Sequence, residues 1–196
     1  MAESTVVLEE FADSLGAGSV LPAQPTDWAA LAEEARSLGF AYEQTYHGCG
    51  QCAVAAVLET LGRFDEAVFD AATGLAGGVG LAGDSTCGAL MGATLCFGVV
   101  SPRRRDRFDG DRENKYRTFA MAQKLRQRYL DAYGSIICHD IHRQVLGRPF
   151  DLRDPAERQA FEAAGAHADK CTGVVARAAQ WAVEIMGEEG EALRRP

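Results

Sequence analysis

The chain has 196 residues, 47% of them hydrophobic and 24% charged, with a formal net charge of −8 and an isoelectric point near 5.0. That length suits one compact domain with a real core, and that composition excludes disordered and fibrous classes. The acidic balance argues against a nucleic-acid binder, and the longest apolar stretch, Cys87 to Val100, is too short to span a bilayer.

The opening residues MAESTVVLEE carry no basic n-region, so no secretory signal is expected and the cytoplasm is the expected location. Thiols stay reduced there, which points the six cysteines toward metal ligation, redox chemistry or core filling. No stretch alternates polar and apolar residues in strand fashion, and the periodicity is helical almost throughout. A first helix is predicted over Thr5 to Leu15, ending at the Gly16–Gly18 cluster. Pro22, Pro25, Thr26 and Asp27 then form a linker and N-cap for a helix from Trp28 to Leu38. The next helix begins at Cys49 and stops at Gly62, and Phe64, Val68, Ala71 and Leu75 mark another helical stripe. Gly74 to Gly83 holds five glycines and cannot be helical throughout. Asp84, Ser85 or Thr86 can cap the helix that starts around Cys87.

A long amphipathic helix is predicted over Arg112 to Tyr133, closed by Gly134, and a shorter one from Ser135 through Leu146. Asp154-Pro155-Ala156-Glu157 is a strong start signal, with helix following to Met186, broken near Gly165, and a polar, frayed tail from Gly187. The expected architecture is all-α: a compact helical bundle with a glycine-rich loop leading into a central helix. Its division is an N-terminal helical extension over 1–44, a four-cysteine redox domain over 45–187 and a polar tail over 188–196. Ser101 to Arg128 holds ten Lys/Arg against four acids. That segment is either a solvated face or a patch, centred on Arg103–Arg107, that steers an acidic redox partner or an anionic substrate.

Cys49-Gly50-Gln51-Cys52 is a CxxC on a first helical turn, where the amides and the helix dipole favour a thiolate. It is half of a zinc or iron–sulfur site, a dithiol redox pair, or chance. Cys87 stands in the same local setting, delivered by a glycine-rich loop into Cys87-Gly88-Ala89-Leu90-Met91-Gly92. Gly88 and Gly92 give that helix a smooth face for a close neighbouring helix or an inorganic cluster. Cys138 shares a face with Ile141, His142 and Val145, and Cys171 heads an apolar stripe. His142 lies one turn after Cys138 and His167 one turn before Cys171, so each pair could bind a metal together. The simpler expectation places each histidine at the solvent edge of its helix. Cys96 lies nine residues beyond Cys87, on the opposite side of one helix, and reads as a core residue.

These motifs, in this order, resemble a family of redox-active proteins named for a Cys…Gly-Cys-Ala-x-x-Gly…Cys…Cys pattern. Its central motif matches Cys87-Gly88-Ala89-Leu90-Met91-Gly92, preceded by the glycine run Gly77-Gly78-Val79-Gly80. Its first cysteine matches Cys52 in Cys52-Ala53-Val54-Ala55-Ala56-Val57, and its later single cysteines match Cys138 and Cys171. The resemblance spans about Tyr46 to Met186 and leaves Cys49 and Cys96 as extra cysteines. The family resembles the cluster-bearing part of split-Soret cytochromes, which implies an iron–sulfur centre and a homodimer. Cys52 is followed by Ala53, so the CxxCH haem site of those cytochromes is lacking.

The resulting expectation is an electron-transfer protein whose Cys52, Cys87, Cys138 and Cys171, from four helix starts, hold a [2Fe–2S] or [4Fe–4S] cluster and serve a redox partner protein. Cys49, His142 or His167 is the candidate replacement for one of those ligands. Two other readings stand beside it: a zinc site on the same four cysteines, and a thiol–disulfide oxidoreductase cycling Cys49 and Cys52 with Cys87 or Cys138 as resolving thiol. An oxidoreductase activity stays open, with His139 and His142 as acid–base candidates. No phosphate loop, nucleotide fingerprint, HExxH or nucleophile elbow accompanies them.

Overall fold

A computed structural model describes residues 27–192. The predicted helix over Thr5 to Leu15 lies outside the described residues. Eight α-helices are found among them: α1 (Trp28–Thr45), α2 (Cys49–Thr60), α3 (Glu66–Ala71), α4 (Gly88–Val100), α5 (Arg112–Tyr133), α6 (Cys138–Leu146), α7 (Pro155–Ala163) and α8 (Cys171–Ala192). There is no strand among the described residues, so the all-α bundle is the observed architecture.

Local chemistry accounts for most of the helix ends. The Asp27 carboxylate accepts from the Ala30 amide at 3.0 Å, and Asp65 accepts from Val68 at 3.1 Å. Asp154 caps α7 through the Ala156 and Glu157 amides, with Pro155 at the first helical position. Gly134 and Gly147 close α5 and α6 in the left-handed conformation.

Three ends differ from the sequence expectation. α1 runs on through Gly39 to Thr45, because Gly39 lets it lie against the backbone of α8 at Val175 and Ala176. α6 begins at Cys138 rather than Ser135, because residues 136–139 are drawn into backbone pairing with the loop before α4. α8 continues past Gly187 to Ala192: Gly187 packs beneath Trp28, while Glu188 and Glu189 pair with Lys124.

α4 is the central helix, packed against α2, α5 and α8, while α1 lies along α8. The core they share includes Val54, Val57, Leu58, Phe97, Leu125, Tyr129, Val175, Val183 and Ile185, with Ala32 and Ala35 of α1. The α2–α4 contact is unusually close. A methyl group on Gly92 would collide with the Gly50 carbonyl oxygen and lie 2.9 Å from its carbon. Cys96 is fully buried in this core, its thiol donating to the Gly92 carbonyl at 3.4 Å. A second, smaller cluster of Phe150, Leu152, Phe161 and Ala166 closes one side of the bundle.

Candidate functional site

The segment between α3 and α4 is a left-handed turn. Five consecutive residues, Gly77 to Leu81, have φ between 59° and 72°, and Val79 and Leu81 adopt it without glycine's freedom. The turn is held by backbone bonds such as Gly80 N–H to Gly74 O at 2.9 Å and Gly83 N–H to Gly77 O at 2.8 Å. It leads into a short antiparallel pairing with the start of α6. Cys87 N–H donates to Ile136 O at 2.8 Å, Cys138 N–H to Ser85 O at 2.9 Å and His139 N–H to Gly83 O at 2.8 Å. Two cysteines 51 residues apart in sequence are thereby brought side by side.

Cys49, Cys87, Cys138 and Cys171 line one cavity of about 200 Å³. Cys49 opens α2, Cys138 opens α6 and Cys87 is the N-cap of α4, while Cys171 is the first residue of α8 and continues directly from the π-helical turn Ala166–Lys170. Gly88 and Gly78 make room for two of them. A methyl group on Gly88 would lie 2.6 Å from the Cys49 sulfur, and one on Gly78 would lie 2.9 Å from Cys138 Cβ.

Cys52 is placed elsewhere. The sequence reading grouped it with Cys87, Cys138 and Cys171, but its thiol donates to the His47 carbonyl at 3.1 Å and lines a second cavity with Tyr42, Gln51, Glu59 and Phe69. Cys49, an extra cysteine relative to the family pattern, lines the cavity with Cys87, Cys138 and Cys171. Gly48, at φ 88°, turns the chain into α2 and puts Cys49 in its first position, where free amides and the dipole act most strongly.

The four cavity thiols resist ionisation. Burial pushes the pKa of Cys49, Cys87, Cys138 and Cys171 upward, and the neighbouring sulfurs and Glu43 raise several of them further. Backbone amides act the other way: Leu90 and Ala89 N–H face Cys87, and Gly77 N–H faces Cys49. Thiols so arranged are poor free nucleophiles but a natural ligand set, because a bound cation reverses the penalty that each anion imposes on the others.

The histidines are divided. His142 is buried rather than at a solvent edge, with Nε2 3.5 Å from the Cys138 sulfur. Burial lowers its pKa to about 4. His139 is held by the Phe150 carbonyl at 3.1 Å, over Gly83, where any side chain would strike the ring. Two cavity-lining acids, Glu43 and Glu162, went unremarked in the sequence. Glu43 had a signal: it falls on the buried stripe Ala32, Ala35, Gly39, Glu43. The basic loop lies at the other end of α4 from Cys87, about 20 Å along the helix. There Arg103 and Arg105 stack on Phe108.

Residues 47–185 match the family model described as "Putative redox-active protein (C_GCAxxG_C_C)". The chain belongs to this C_GCAxxG_C_C family. No curated protein and no solved structure matches it. The C_GCAxxG_C_C match takes in all four cavity cysteines, and Cys87-Gly88-Ala89-Leu90-Met91-Gly92 supplies the central motif. Among the described residues no helix is long and apolar enough to cross a membrane.

Proposed function

We propose that this C_GCAxxG_C_C protein is an electron carrier in which Cys49, Cys87, Cys138 and Cys171 hold an iron–sulfur cluster. The observation that carries the reading is the convergence of four thiols, from four separate segments of the chain, on one cavity. The fit rests on the donor set. Four cysteine sulfurs are the usual ligand complement of [2Fe–2S] and [4Fe–4S] centres. The glycines at 78 and 88 leave the space that side chains would fill. The cluster, once bound, would supply a one-electron couple.

The chain's own residues set the conditions for that couple. Amides of Ala89 and Leu90 stabilise negative charge on Cys87, and the Gly77 amide does the same for Cys49. Leu152, Phe161 and Ile141 line the cavity with hydrocarbon and restrict water. The dithiol alternative finds less support, because Cys49 and Cys52 open into different cavities. A redox partner protein and a homodimer remain part of the proposal. With the Arg103–Arg107 loop at the far end of α4, partner docking is better sought at the cavity mouth around Arg158 and Glu162.

The test is iron, sulfide and zinc content of anaerobically purified protein, measured with its visible spectrum. Iron and sulfide with a thiolate-to-iron band are expected. Cys49→Ser should abolish the band and Cys52→Ser should leave it. Colourless protein with one zinc would select the Cys₄ zinc reading. Retention of the band in Cys49→Ser with its loss in Cys52→Ser would return Cys52 to the ligand set.

A further inference from the structure

At the mouth of the thiol cavity lies a second set of donors. His47 and His167 stack with ring centroids 3.7 Å apart and planes inclined by 23°. His167 Nδ1 is 2.7 and 2.9 Å from the two Glu162 carboxylate oxygens. Ligand atoms of His47, Glu162 and His167 all fall within 4.8 Å of one another. Behind His167, on its other ring nitrogen, stands Glu43, with Oε1 3.6 Å from Nε2.

Glu43 is the unexpected member. It is only 3% exposed, and its Oε2 has no hydrogen-bond partner among the described residues. A buried carboxylate so poorly satisfied is stable only if positive charge or a donor is brought to it. A histidine that binds a metal through one nitrogen and donates its other N–H to a carboxylate is the usual second layer of a metal site. Glu43 stands on the Nε2 side of His167, where such a carboxylate belongs, at 3.6 Å. The backbone favours the same reading. His47 is held at φ 62°, a region sparsely populated by non-glycine residues, and His167 sits in a π-helical turn, Ala166–Lys170.

We propose that His47, Glu162 and His167 Nδ1 form a site for one divalent first-row transition-metal ion, with Glu43 as the carboxylate that orients His167. Two imidazoles and one carboxylate leave coordination positions open, as in non-haem iron(II) and catalytic zinc centres. Metal–ligand bonds of about 2 Å require the three donors to close by about 1 Å, which the exposed His47 and Glu162 side chains can do by rotation. The site uses no thiol, although its residues line the same cavity as the four cysteines.

The experiment is a Zn²⁺ titration of the purified full chain by calorimetry, followed by zinc X-ray absorption to identify neighbouring atoms. Zinc binds a given site more tightly than iron(II) does, which makes it a stringent probe. Besides any zinc held by the thiols, one equivalent with nitrogen and oxygen neighbours only is expected. His47→Ala and Glu162→Gln, both surface changes of little consequence to folding, should each abolish it. Glu43→Gln, which keeps the shape, should weaken it about 10–100-fold. Cys49→Ser should leave it unchanged, which separates this site from failure of the cluster reading. Zinc taken up only with sulfur neighbours, or bound equally well by His47→Ala and Glu162→Gln, would overturn the proposal. Equal affinity in Glu43→Gln would remove Glu43 from it.

Discussion

Gly92→Ala is the sharpest perturbation of the frame that positions Cys49 beside Cys87. The added methyl would overlap the Gly50 carbonyl, with Gly50 C at 2.9 Å and Cα at 3.1 Å, so backbone rather than a flexible side chain stands in its way. α2 and α4 must part, and a gap of about 1 Å forfeits a quarter to a half of the attraction of each atom pair across the contact. The affected residues include Val54, Val57, Ala93 and Phe97, all fully buried. Overpacking against an unyielding neighbour puts the expected loss at about 3 kcal/mol, offset by less than 1 kcal/mol from alanine's better helix propensity. For a chain of this size about 2 kcal/mol lowers Tm by about 4–8 °C. Gly98, in the same helix, has open space where its Cβ would be, so Gly98→Ala should raise stability by about 1 kcal/mol. Urea denaturation of both variants is the assay. A Gly92→Ala protein within about 0.5 kcal/mol of the parent, or a Gly98→Ala protein less stable than it, would refute the claim that α2 and α4 touch through bare backbone.

Three further outcomes are expected. Val79→Gly should stabilise the chain by about 0.5–1 kcal/mol by relieving a left-handed β-branched residue that is 47% exposed, whereas Val79→Ala should not; equal effects in thermal melts would speak against backbone strain. The buried Tyr129 hydroxyl lies beside Cys87 without a hydrogen-bond partner among the described residues, so Tyr129→Phe should be neutral or stabilising by up to about 1 kcal/mol in chemical denaturation. Arg128, which joins α5 to both Glu184 and Glu188 of α8, should cost about 1 kcal/mol when changed to Met, and denaturation in high salt should shrink the difference.

Most of the helical content was legible because the signals are local. Asp65, Asp154, Gly134 and Gly147 end their helices through their own side chains or backbone freedom, whatever the rest of the chain does. The delayed start of α6 was not legible, since it depends on pairing with Gly83–Cys87, more than 50 residues earlier. Glu43 sat visibly on an apolar stripe, but the stripe could not say that His167 would face it.

What the sequence by itself determined is the helical class, the glycine-rich entry to a central helix, and the placing of Cys49 and Cys87 at helix starts. These follow from caps, propensity and periodicity, which act over a few residues. Only the tertiary structure puts Cys49, and not Cys52, on the cavity that Cys87, Cys138 and Cys171 line. Three helical residues set two side chains about 60° apart around the axis and about 4.5 Å along it. The difference is settled by how α2 is turned against α4, and that rotation is fixed where Gly50 meets Gly92.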